Sequence, residues 1–200
     1  MPILYITKRM LVIFLVVGFV LTSILACSAM NRSPLEGRII IVDAGHGGID
    51  PGANRPGVEE KNINLAIALE LKTALNSYGA KVILSRDCDT DLSGLCDNTK
   101  IKGRYHRDLA ARVELVEESD ADLFISIHAN SNSNSKKIGA ESFYAPRSES
   151  SKLLANSIQN ELYNVIPSPK TANPGNYFVL KRNKVPAALV EVGYITNPLI

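Results

Sequence analysis

Four polar residues stand where an α/β chain places its chemistry. His46 lies in a glycine-rich turn after the apolar run Ile39, Ile40, Ile41 and Val42, and His128 follows a second run, LFISI, from Leu123 to Ile127. Open α/β sheets bind their ligands beyond the carboxyl ends of such strands. Glu60 opens the first helical pattern beyond the turn. Glu191 interrupts the apolar run AALVEV, where an unpaired buried carboxylate is costly. Two imidazoles and one carboxylate form a donor set that zinc favours in catalytic sites, with a fourth position left for water. His46, Glu60 and His128 are therefore candidate metal ligands. Glu191 is the candidate base that takes a proton from water and passes it to a leaving nitrogen.

Each residue also has a plainer reading that the sequence leaves open. A histidine after a strand is often a hydrogen-bonding loop residue, Glu60 is a favourable first-turn carboxylate at a helix N-terminus, and Glu191 is open to pairing with an arginine. A dinucleotide fingerprint fits poorly, because GHGGID lacks the third glycine of GxGxxG and Pro51 interrupts the helix that should receive a pyrophosphate. His106, between Tyr105 and Arg107, reads as a surface or substrate-groove residue and stays outside the metal set.

The elements that must position these residues follow from hydrophobic periodicity. The run at 39–42 reads as a strand buried on both faces, and the glycines from Gly45 to Gly52 break any regular element after it. From Glu59, apolar residues Ile63, Ile67, Leu71, Ala74 and Tyr78 recur at helical steps up to Gly79. KVILS at Lys81–Ser85 is the next strand, and strand, helix, strand in close succession makes a βαβ unit with parallel pairing. Arg86 to Arg107 reads as a long polar loop, whose Lys100, Lys102, Arg104 and Arg107 would line a groove for an anionic substrate or form a solvated face. The spacing predicts a helix over Asp108–Ser119. A polar cleft lip follows at Asn130–Lys137, then a strand at Ala140–Ala145. Glu149–Val165 should be a helix with Leu154, Ile158, Leu162 and Val165 inward, followed by a short strand at Tyr177–Leu180 and a last one at Ala187–Val192. The expected fold is α/β: one domain with a mostly parallel sheet and helices on both faces.

Residues 1–33 are a different kind of chain. Lys8 and Arg9 precede an uncharged apolar run from Met10 to Ala26, the layout of a secretory signal, a membrane anchor or, with Cys27, a lipoprotein. All three export the domain at 34–200. Removing the three basic residues of this segment from the chain's 22 leaves 19 against 20 acidic ones, so there is no case for a nucleic-acid binder. Cys88 and Cys96 lack CxxC spacing, which excludes a zinc finger and leaves a local disulfide or two free thiols. The chain stops shortly after its last strand and reads as truncated at the C-terminus.

The ordered motifs DAGHGGIDPGA, EKNINLAIALEL, LFISIHANS and ALVEVGYITNP resemble those of the zinc-dependent N-acetylmuramoyl-L-alanine amidases, over roughly Arg38 to Pro198. The resemblance implies that His46, Glu60 and His128 hold Zn2+ and that Glu191 is the catalytic glutamate. It also implies hydrolysis of the amide between N-acetylmuramic acid and L-alanine of peptidoglycan. Glu60 rather than Glu59 is matched because it directly precedes the lysine of the motif. DTDLSG, GRYHRDLAARVEL and GAESFY are most similar to the germination-specific, spore cortex amidases. The implied location is extracytoplasmic, secreted or membrane-anchored, including the space between forespore and mother-cell membranes. Implied partners are peptidoglycan and, through the N-terminal segment, the membrane. The competing functions are a wall-binding regulator of the same fold without turnover and a related zinc peptidase.

Overall fold

The computed structural model describes residues 33–198, so the export segment read in residues 1–33 lies, apart from Ser33, outside the described residues. Three consecutive isoleucines open strand β1, Ile39–Ala44, the second strand in from one edge of a six-stranded sheet. A strand points successive side chains to opposite faces, so an unbroken apolar run requires cover on both. Ile40, Val42 and Ala44 face helix α1, Glu60–Ser77, while Ile41 faces helix α2, Arg104–Glu118.

A two-residue hairpin, β2 at Asn54–Arg55 and β3 at Val58–Glu59, separates the glycine turn from α1. Strand β4, Lys81–Leu84, pairs parallel with one side of β1, and β5, Leu123–Asn130, pairs parallel with the other. The chain thus crosses outward under α1 and back under α2. Because such crossovers are right-handed, this reversal puts the two helices on opposite faces. It also opens a crevice between the carboxyl ends of β1 and β5.

Strand β8, Ala187–Tyr194, adds parallel to β5, and β6, Glu141–Tyr144, runs antiparallel beside β8. A two-residue strand, β7 at Asn173–Pro174, closes the far edge. Helix α3, Glu149–Val165, starts where the Ser148 hydroxyl accepts from Ser151 N–H, and it lies on the α1 face. A short helix α4, Phe178–Arg182, joins α2 on the other face. Among the described residues no helix is long and apolar enough to cross a membrane.

Three expectations need correction. Helix α2 begins four residues early, at Arg104, because its polar first turn is tied to the preceding loop. Arg104 pairs with Asp91, and Arg107 donates to the carbonyls of Ser93 (3.0 Å) and Cys96 (2.6 Å). Those two arginines are thus spent on the loop itself, while Lys100 and Lys102 stay exposed. The segment read as a strand at Tyr177–Leu180 is α4 instead: Val179 and Leu180 are both buried in the same cluster, whereas a strand would send them to opposite faces. Val165 points outward at the fraying end of α3 and is 78% exposed. The loop from Arg86 to Gly103 is anchored, with Leu92 and Cys96 buried against Ala110 and Ala111. Cys88 and Cys96 are free thiols.

Candidate metal centre

Strand β5 carries His128 within it rather than after it, and β1 delivers His46 two residues beyond its end, across the crevice. The two imidazole rings meet edge to face, 4.9 Å between centroids. Glu60, in the first turn of α1 and 5% exposed, sends Oε1 between them, 3.2 Å from His46 Nε2 and 3.0 Å from His128 Nδ1. One ligand atom from each residue lies within 4.8 Å of the others. Ligands bonded at about 2.0–2.1 Å around a tetrahedral ion sit about 3.3 Å apart, so the donor set and its spacing fit zinc.

Two of the three are held by partners outside the set. Asp50 Oδ2 accepts from His46 Nδ1 at 2.7 Å, which turns Nε2 toward Glu60, where a bound metal would take the place of its proton. Its other oxygen accepts from Gly52 N–H at 3.1 Å. The Glu60 carboxylate accepts from the backbone N–H groups of Ala53 (2.8 Å) and Ala129 (3.1 Å), and Asn64 Nδ2 reaches both Oε1 and the Gly45 carbonyl. Burial acts against ionisation of Glu60, but the hydrogen bonds from His128 and His46 outweigh it and hold the carboxyl well below the usual range. Burial likewise disfavours protonated His46, yet Glu60 and Asp50 push it up to about 9.

His46 has a left-handed backbone, φ 62°, a conformation that costs a non-glycine residue energy unless its surroundings impose it. Two buried guanidinium groups impose it. Arg86 Nε and Arg112 Nη2 each donate to the His46 carbonyl at 2.8 Å. Arg86 also donates to the carbonyls of Ala44, Gly45, Lys61 and Cys88. Arg112 spends its other donors on Asp43, Asp108 and the Ala44 carbonyl. The turn leaves no room for side chains: a Cβ on Gly45 would lie 2.3 Å from His128 Nε2, and one on Gly52 2.5 Å from Glu60 Oε2.

Glu191, on β8, is the register partner of His128 on β5 and of Glu141 on β6. Its Oε2 is buried without a hydrogen-bond partner among the described residues. Burial raises its carboxyl to about 7, with His128 opposing and Glu60 reinforcing. A cavity of about 230 Å³ adjoins the histidines, walled by Tyr105 and Leu109 of α2 and by Tyr177 and Phe178. The structure therefore brings His46, Glu60, His128 and Glu191 to one end of the sheet and leaves His106 outside this cavity.

Asp50, Arg86 and Arg112 were not singled out in the sequence. Asp43 shows the signal that was available: like Glu191, it is an acid inside an apolar strand, and the same reasoning applied to IIIVDA would have required a buried cation beside it.

A family model described as N-acetylmuramoyl-L-alanine amidase matches residues 40–199. The germination-specific N-acetylmuramoyl-L-alanine amidase of Bacillus subtilis (strain 168) is 38% identical over 168 residues, covering 82% of this chain and 70% of the relative. The amidase LytC of the same organism is 37% identical over 83% of this chain, which spans 31% of LytC. Among solved structures, the CwlD amidase from Clostridioides difficile, in complex with the GerS lipoprotein, superposes with a TM-score of 0.71 at 38% identity, covering 80% of this chain and 84% of that one.

Proposed function

Because the chain belongs to the N-acetylmuramoyl-L-alanine amidase family, we propose that it hydrolyses the amide joining N-acetylmuramic acid to L-alanine in peptidoglycan, outside the cytoplasm, in cortex remodelling for germination. The observation that carries this reading is the convergence of His46, Glu60 and His128 on one point, with Glu191 beside it on the neighbouring strand. We assign the first three as zinc ligands and Glu191 as the general base. Zinc, when bound, supplies a Lewis acid for the amide carbonyl and makes water acidic enough to act near neutral pH.

The chain's own groups do the rest. Asp50 fixes the His46 ring, and Arg86 and Arg112 fix the backbone turn that carries it. Glu60 is fixed by backbone donors, so little reorganisation is needed on binding an ion. Glu191, whose burial raises its proton affinity, takes a proton from water and delivers it to the departing nitrogen. The apolar walls of the adjoining cavity limit water around the reacting amide.

The test is a digest of cortex or vegetative peptidoglycan by the purified protein, with products resolved by mass spectrometry. Free stem peptide and bare muramic acid are expected, lost with chelator and restored by zinc. A shortened peptide left on muramic acid would establish the peptidase alternative, and intact wall from folded, zinc-loaded protein would refute hydrolysis.

Two further results are expected at the metal. Protons and zinc compete for the same lone pair on His46, so zinc affinity should rise with pH up to about 9, with proton release seen by calorimetry in buffers of different ionisation enthalpy. Gly45→Ala should weaken zinc binding by about tenfold or more, on the scale seen when a ligand's support is lost, because the His128 ring must swing away from the new methyl group.

A further inference from the structure

A second cavity, of about 650 Å³, lies along the outer side of α2 and shares the Phe178 ring with the cavity at the metal cluster. Its floor is apolar, formed by Ala110 and Val113 of α2 with Ile101 and Phe178, while its rim carries Lys102, His106, Arg182 and Glu114. We propose that this cavity holds the charged peptide arm of the substrate beyond the scissile amide, an inference that rests on the amidase reading above.

Charge selects that arm. The sugar half of the substrate carries no formal charge once its lactyl group is in an amide, whereas the stem peptide carries several carboxylates and one side-chain ammonium. The rim has matching groups without competing partners. Lys102 donates only to the Thr99 carbonyl, and Arg182 lies 5.8 Å over the Phe178 ring; among the described residues neither forms an ion pair. Glu114 accepts from Asp97 N–H and from the Cys96 thiol, with no cation beside it. The remaining rim charges, Lys184 and Glu117, neutralise each other at 2.7 Å. Two unpaired cations and one unpaired carboxylate complement a peptide with more acids than amines.

Length agrees as well. The cavity follows α2 from His106 to Glu117, about 16 Å at 1.5 Å per residue. Four or five residues of extended peptide span about the same distance. Phe178, common to both cavities, places the start of this path against the cavity where the amide would react.

The test compares two soluble substrates, muramoyl-L-alanine and muramoyl-tetrapeptide. For the unaltered protein, kcat/KM should favour the tetrapeptide. Arg182→Glu and Lys102→Glu, both exposed positions, should each reduce the ratio of the two kcat/KM values at least tenfold, with the change in KM. In a parallel arm, free tetrapeptide is titrated calorimetrically into the zinc-loaded protein, and Arg182→Glu should weaken its binding tenfold. Ratios and affinities within twofold of the unaltered protein would overturn the proposal while leaving the amidase reading intact. If the unaltered protein cleaves neither substrate, the amidase reading fails and the titration alone decides whether the cavity binds peptide.

Discussion

Glu191→Gln is expected to lower kcat by a factor of about 10² to 10⁴, the range that a positioned general base contributes, with zinc content unchanged. Glutamine keeps the shape of the side chain on β8 and removes only its ability to accept a proton. A protein that merely binds the wall would be indifferent to the change, so muropeptide release by the two proteins separates the alternatives. The unaltered enzyme should lose activity as pH falls and Glu191 takes up a proton. Its carboxyl titrates at about 7, and a cation beside it moves that value down, so the acid limb of the profile lies at or below pH 7. The variant should lack that limb.

The same substitution should act on stability with the opposite sign. Burial raises the Glu191 pKa from 4.5 to about 7, so its contribution to folding is fully present below pH 4.5 and is lost as pH rises through 7. At pH 8 the metal-free protein bears this cost, and glutamine, which does not ionise, avoids it. Glu191→Gln should then be the more stable protein by up to about 3 kcal/mol at pH 8, from the linkage of pKa to free energy, and the advantage should vanish near pH 4. Urea denaturation at the two pH values checks it.

Arg112→Met should have the largest effect on stability. The Arg112 side chain is 2% exposed and donates all five of its N–H groups, two to carbonyls at the base of the His46 turn and the rest to Asp43 and Asp108. Burial opposes its charge, and the carboxylates of Asp43 and Asp108 outweigh that, raising its proton affinity further. Removing it strands Asp43, itself 1% exposed, where an uncompensated buried charge typically costs about 3–5 kcal/mol. Against a total of about 5–15 kcal/mol for a domain, much of the margin disappears. Adding Asp43→Asn to Arg112→Met should recover part of the loss, because a neutral amide is cheaper to bury unpaired. A double variant as unstable as the sum of the two single ones would mean that the pair is not coupled.

The long strands of the sheet and three of the four candidate site residues were legible in the sequence for one reason. Apolar runs locate the sheet, and polar residues at or inside their carboxyl ends stand out against them, as His46, His128 and Glu191 do. The supports were not legible, because their roles depend on partners distant in the chain. Arg86 opens what reads as a polar loop, and its bonds to the carbonyls of Ala44 and His46 exist only once β4 lies beside β1. Arg112 sits within a helix pattern, where an arginine usually means solvent. Tyr177–Leu180 has the composition of a strand, and only its packing against the α2 face makes it a helix.

The two-residue strand β7 has a consequence for how the molecule behaves in company. Edge strands with free N–H and C=O groups recruit the edges of other chains, which is how many sheet proteins aggregate. Here the outer edge is only Asn173 and Pro174, and proline has no N–H to offer. At the opposite edge, β4 is four residues long and begins with the exposed Lys81, a charge that repels a copy of itself. Both margins of the sheet are thus closed to lateral growth, which should keep the domain monodisperse at high concentration.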